Sequence, residues 1–345
     1  MSSPTLIAPR IFALALLVTL GLSILARAQA PAAGGRGGAP AAPPPRPELR
    51  AFAAAEGRWA WIKDTGGQSE LFIGGPSGTG RLRAKGSGWT EVALDGATVW
   101  LLSRSGPAGT LLSLPVEGDA PPAEAARSAD QPGALLAQGG QVFWLELSKA
   151  ADPGMAFVPP LGARLKLRCR EASGTLRTLV DRPAVDGAAP GAGDLLAAAA
   201  GPLYLRLRSA SGTELLSVPL QGGATTWIAG ESGTQQAVLT NGTLVWTAPS
   251  EEAMPESGIR CLRRLRTGGA PETVADWLPG IGDLAAADEG LRYSDGSNLF
   301  SLPARFGSPT FVRKVDFGRL VSDGHSLVIL GADQPRSLSA RSSHP

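Results

Sequence analysis

Histidine is almost missing from this chain: His325 and His344 are the only two among 345 residues. Ser-His-Asp catalysis or a histidine-rich metal centre needs imidazoles gathered in space. Here one sits in a "DGHS" turn and the other in a Ser-rich tail. Cysteine is as scarce, with only Cys169 and Cys261, too few for the disulfide framework of a small secreted scaffold. An excess of one charge is lacking too, since 32 Lys+Arg face 30 Asp+Glu for a formal charge of +2. That near balance gives no electrostatic reason to expect nucleic acid or an anionic membrane as partner. Helical periodicity is also wanting: the best stretch, "PAEAARSA", is short and Ala-biased.

One long apolar run is present, and it lies at the N-terminus. "IFALALLVTLGLSILA" follows Arg10 and ends at "ARA" (Ala26 to Ala28). A basic residue, an uncharged apolar run and small residues before a cleavage point predict a signal peptide over residues 1–28. An uncleaved anchor is the alternative, although sixteen residues fall short of the ~20 that a membrane span needs. The expected destination is the periplasm, the cell surface or the medium, with no transmembrane span after signal removal. Residues 29–50, rich in Pro, Gly and Ala, read as a disordered tether, and residues 339–345 as a frayed tail. The folded body is expected over 51–338.

Within that body the chain repeats itself. A turn followed by a short apolar run recurs as "EGRWAW", "DGATVW", "GGQVFW", "AGPLYL", "NGTLVW", "EGLRYS" and "DGHSLV". Its glycines are Gly57, Gly96, Gly140, Gly201, Gly242, Gly290 and Gly324. An aromatic ring stands four places on at Trp61, Trp100, Trp144 and Trp246, and three places on at Tyr204 and Tyr293. A second motif follows as "LLSLPVEGDAP", "ELLSVPLQGGA" and "NLFSLPARFGSP". Asp-Gly and Asn-Gly tolerate the positive φ of tight hairpins, and the runs suit strands by length and alternation. Each copy therefore holds four strands, and the spacings of 39, 44, 61, 41, 48 and 34 residues centre on the ~40–45 residues of a β-propeller blade.

These motifs resemble the repeats of exported bacterial propellers of the TolB-like kind, in which a DG turn, an aromatic strand, a "VP" strand and a GG turn follow one another. The resemblance covers about residues 51–338 and implies an architecture more than an activity, because one fold hosts many functions. The fold class expected is all-β, a propeller of four-stranded antiparallel blades. Seven hairpin signals predict seven blades, with six as the alternative. The last blade has room for three strands. Closure by a strand from "PPPRPELR" is disfavoured, because Pro cannot complete a ladder.

Propeller geometry puts the short Gly turns on one face and the long loops on the other. Insertions confined to one face of a repeat protein commonly build a binding surface. The candidate contact residues are Met155, Phe157, Asp181, Arg182, Asp186, Glu251, Glu252, Glu256 and Trp277, and the bland alternative is tolerated loops packing back on the blades. Glu251, Glu252 and Glu256 could offer oxygens to Ca²⁺, without EF-hand-like spacing. "DGSN" from Asp295 reads as a turn before it reads as a calcium site. "GPSGTGRL" from Gly75 lacks the Lys-Ser/Thr of a phosphate loop.

Cys169 and Cys261 fall on third strands of blades three and five, too far apart to bridge, and are expected free and half-buried. Arg164, Arg168 and Arg170, with Arg260, Arg263, Arg264 and Arg266, could make a basic stripe for an anionic glycan or lipid headgroup, or a solvated face. The segments expected to line the axis, "EVALDG", "ALLAQGG", "DLLAAAAG", "QAVLTNG" and "DLAAADEG", promise a channel of mostly Ala, Leu and Val. No catalytic residue or cofactor is assigned. The leading expectation is a non-catalytic exported propeller that presents its long-loop face to a protein, peptide or cell-envelope glycan. The alternative is a metal-dependent lactonase-like hydrolase or lyase at the channel mouth.

Overall fold

A glycine that can take positive φ opens the first hairpin of several blades, and this sets the repeat. Gly57, Gly96, Gly140 and Gly242 adopt φ of 73°, 55°, 76° and 72°, the left-handed values that a two-residue hairpin turn demands. Asp95, before Gly96, also reaches the next blade: its carboxylate accepts the backbone N–H of Gly139 and of Gly140.

The computed structural model describes residues 48–338 except 77–78, 107, 149–162, 185–193, 198–200, 210–211, 232–235, 241, 255–256, 267–268, 288–289, 304–306, 316–318, 323–326 and 332–333. The described residues form seven antiparallel sheets in sequence order, making a seven-bladed β-propeller with no helix long and apolar enough to cross a membrane. Blade one comprises Glu48–Ala55, Arg58–Thr65, Gln68–Gly74 and Arg81–Gly86. Its first strand begins inside the segment read as tether. Five further four-stranded blades occupy 89–128, 131–183, 195–231, 237–279 and 283–314. "PAEAARSA" supplies an outer strand, Ala123–Ser128. The seventh blade, 319–337, has three strands among the described residues.

Burial follows strand position. Second strands are sandwiched on both faces, and Arg58–Thr65, Gln141–Leu147 and Thr243–Pro249 each bury four or more residues in a row. Such strands read as continuous apolar runs. Third strands alternate, as in Arg164–Arg170. Fourth strands are the outer edges, and in all six blades whose fourth strand is among the described residues the pairing with the third strand slips by a bulge. A bulge twists an edge and blunts its capacity to recruit a foreign strand.

Among the described residues the core is divided into seven apolar clusters, and each joins two adjacent blades. The seventh explains closure. Trp59 and Trp61 of blade one pack with Val328 of blade seven, so side-chain packing joins the ends of the ring, with no strand shared between these two blades among the described residues. Gly80 serves the same contact surface, because a Cβ there would run into the Trp61 ring. The glycine-rich stretch that superficially looked like a phosphate loop is thus explained by its approach to Trp61.

Candidate functional site

The first strands of successive blades surround a central cavity of about 550 Å³. Its wall is apolar, as expected, with Ala51, Ala93, Ala137, Leu195, Ala237 and Ala285 contributing. Its mouth is not. Three of the segments expected to supply mostly Ala, Leu and Val are headed by a polar residue that begins or immediately precedes the strand: Asp194, Gln236 and Asp283. Glu91 is the third residue of its strand, as Arg50 is in blade one, and Arg319 opens the first strand of blade seven. The repeat brings these heads to one end, where first strands begin and second strands finish: Arg319 pairs with Leu330, and Glu91 with Leu102. That end is the face of the long loops.

The mouth is a network of arginines backed by carboxylates. Asp194, 1% exposed, is held by Arg206 Nε at 3.2 Å and by Arg208 at 3.1 Å. Arg206 is itself buried, and desolvation pulls its pKa below the usual arginine value against the attraction of Asp194. Arg50 pairs with Asp64 at 3.0 Å. Asp283 accepts the backbone N–H of Leu320 at 3.1 Å, tying blade six to blade seven. Burial pushes the Glu91 carboxyl up to about 7; Arg104 opposes this, Asp194 reinforces it, and Arg319 and Arg50 oppose it further. Desolvation likewise lowers the pKa of Arg104, whose Nε donates to the Pro132 carbonyl at 2.7 Å. A carboxyl that changes protonation near neutrality among fixed cations can accept or donate a proton, and the arginines can hold an anion.

Residue patterning overlooked this cluster because the inner-strand segments were judged by their average composition. The available signal was one polar residue at or near the start of each. Arg206 lies on a second strand, Leu203–Ser209, and its local sequence gives no hint of the axis.

The expected rim residues separate into groups. Glu252 and Trp277 meet, Trp277 Nε1 donating to Glu252 Oε2 at 3.3 Å. Glu251, in the same loop, lies 3.5 Å from Arg263. Trp277 is not in a loop: it occupies a bulge of the outer strand Glu272–Pro279, with φ of 57° and 53% exposure. Its N–H is capped by the Asp276 carboxylate at 2.8 Å. Asp181 and Arg182 belong to the outer strand Leu176–Pro183 and pair with Arg164 at 2.6 Å and Glu214 at 3.3 Å. Met155, Phe157, Asp186 and Glu256 lie outside the described residues, as does His325.

Other expectations are refined. Neither cysteine is in a disulfide, and both are fully buried rather than half-buried, because blade four packs against that face of each third strand. Burial pushes the Cys169 thiol up to about 11, which suppresses thiolate chemistry. The arginine stripes are largely paired: Arg164 with Asp181, Arg263 with Glu251, Arg264 and Arg266 with Glu272. Arg170 lies over the Trp100 ring. Asp295 accepts hydrogen bonds from the Asn298 side chain and from the N–H groups of Ser297 and Asn298, which lower its pKa and make a turn. Among the described residues, no group of three or more His, Cys, Asp or Glu is placed to hold a metal ion.

No family model matches the chain, and no curated protein does. Solved structures do. An oligogalacturonate lyase from Vibrio parahaemolyticus superposes with a TM-score of 0.60 at 10% identity, over 84% of this chain and 90% of that one. Acylaminoacyl peptidase from Pyrococcus horikoshii gives 0.58 at 7% identity, over 85% of this chain, which spans about half (52%) of the peptidase. The β-propeller domain of the Trilobed protease from Pyrococcus furiosus, described as having an open velcro topology, gives 0.51 at 10% identity over 78% and 82%. At such identities the likeness shows the β-propeller fold alone.

Proposed function

We propose that this chain is an exported binding propeller, working in the periplasm or at the cell surface, whose long-loop face engages a protein, peptide or cell-envelope glycan. Trp277 carries the reading. A bulky residue at positive φ is strained by about 1–3 kcal/mol, and such strain gathers at functional sites. Here it holds an indole outward beside Glu252, while Met254 of the same loop is 79% exposed. Exposed Trp and Met beside a charged group are typical of binding anchors. The test compares wild type with Trp277→Ala in co-sedimentation with isolated peptidoglycan and in affinity capture from an envelope extract. Retention lost in the variant at unchanged melting temperature supports the reading, and retention equal in both removes it.

A second reading has its own observation. The Glu91 carboxyl, held near 7 beside Arg104, suits general acid–base work on a lactone or an acidic sugar at the channel mouth. One of the similar solved structures is named an oligogalacturonate lyase, in keeping with such a substrate. The metal-dependent form of this reading has no ligand group among the described residues. Turnover of a lactone or oligogalacturonate that disappears in Glu91→Gln would establish the enzyme, and activity indifferent to that change would end it.

A further inference from the structure

The central cavity combines two properties that loop anchors do not supply. Its wall is built mainly of Ala, Leu and Val from the first strands, and among the described residues the three charged ones that line it are all arginines: Arg50, Arg206 and Arg319. Their compensation is uneven. Arg50 is paired with Asp64, and Arg206 and Arg208 both pair with Asp194. Arg319 is exposed, and no ion pair reaches it among the described residues. The neighbouring carboxylates Asp64, Glu91 and Asp194 do not line the cavity, so the surface offered to a ligand is cationic at the rim and apolar in depth. Small-molecule sites have this form: an apolar pocket of about 300–1,000 Å³ with a few convergent polar groups that fix orientation. Guanidinium groups match the planar, two-oxygen geometry of a carboxylate.

We propose that the mouth of the central channel binds a single carboxylate carried on an apolar body, with Arg319, Arg50 and Arg206 around the carboxylate and the Ala/Leu/Val wall around the rest. Two sources share that chemistry, an acyl chain and the free C-terminus of an apolar peptide. The inference stands without the loop-rim reading, because Trp277 lies on an outer strand and contributes nothing to this cavity.

The test is calorimetric titration of the full-length protein with octanoate, with the tripeptide Ala-Leu-Val, and with octanol, octylammonium and the amidated tripeptide as controls. Saturable 1:1 binding of octanoate alone assigns the acyl source, and binding of the free-acid tripeptide but not its amide assigns the peptide source. Either result requires that Arg319→Glu weaken the affinity at least tenfold, with the melting temperature unchanged. Arg50→Glu, at a second exposed position, provides the same test if the first variant folds poorly. Butanoate is expected to bind at least tenfold more weakly than octanoate, since each buried methylene adds to the affinity. Absence of saturable binding by both acids, equal binding of octylammonium, or affinity untouched by Arg319→Glu and Arg50→Glu each overturns the proposal.

Discussion

The eight tryptophans divide by strand position. Trp59, Trp61, Trp89, Trp100, Trp144 and Trp246 are buried, five of them on second strands pressed between neighbouring blades. Trp227 and Trp277 sit on fourth strands and are 60% and 53% exposed. The residue type is the same, and both settings are β-strands. What differs is the neighbour: a second strand has a blade on each face, whereas a fourth strand ends the sheet at a bulge. In this fold position within the blade decides whether an aromatic ring holds the ring of blades together or faces solvent.

Truncating one tryptophan of each kind breaks that comparison or confirms it. Trp144 is fully buried, and its Nε1 donates to the buried Glu146 at 2.8 Å. Trp144→Ala is expected to lower stability by about 3–5 kcal/mol, through a large cavity and the loss of a partner for that carboxylate. Trp227→Ala is expected to stay within about 0.5 kcal/mol, as exposed positions do. Urea unfolding midpoints with matched slopes measure both. Similar losses at the two sites would refute the division.

A carboxylate carries the comparison to the channel mouth. Glu91 is held at about 7 by burial, above the usual carboxylate range of the unfolded chain. Between those values the folded state binds the proton more tightly, so stability is fully present at low pH and is lost as pH rises through about 7. Glu91→Gln removes the titration. The variant is expected to be more stable than wild type by about 2 kcal/mol at pH 8 and equal to it at pH 4, at about 1.4 kcal/mol per pKa unit with some allowance for screening. Thermal unfolding across pH 4–8 reads the difference, and parallel profiles would show that Glu91 does not titrate in this window.

The blade architecture was readable in the sequence because it is a local property repeated. A turn glycine followed three or four places on by Tyr or Trp marks a hairpin and an aromatic second strand, and Trp61, Trp100, Trp144 and Trp246 are all buried as that pattern requires. "LLSLP" is a third strand for the same reason. The channel mouth has no such signature. Glu91, Asp194 and Arg319 are distant in the chain and meet because seven strand starts converge on one axis, so their shared environment exists only after the ring closes. Trp277 was readable as a candidate but not as a strained bulge residue, since the slip of Glu272–Pro279 against its partner is a matter of register.

The smallest effect expected separates the two exposed tryptophans from each other. Trp277 has φ of 57°, where a bulky side chain adds strain and glycine does not. Trp277→Gly relieves about 1–3 kcal/mol of strain, gives up one partly exposed hydrogen bond to Glu252, about 0.5–1.5 kcal/mol, and costs about 0.5–1 kcal/mol of backbone freedom, so a small net gain of about 0.3 kcal/mol is expected from the midpoints of these terms. Trp227 is outside the positive-φ positions, although it too stands beside a bulge, paired with Leu216. Trp227→Gly is therefore expected to lose about 0.5–1 kcal/mol, because glycine gives up more backbone freedom on folding. Opposite signs in the two unfolding curves would mean that the sheet holds Trp277 in a conformation its own backbone disfavours. A loss at both sites would mean that the Glu252 contact outweighs the strain, and the indole would then be fixed by its partner rather than by the bulge.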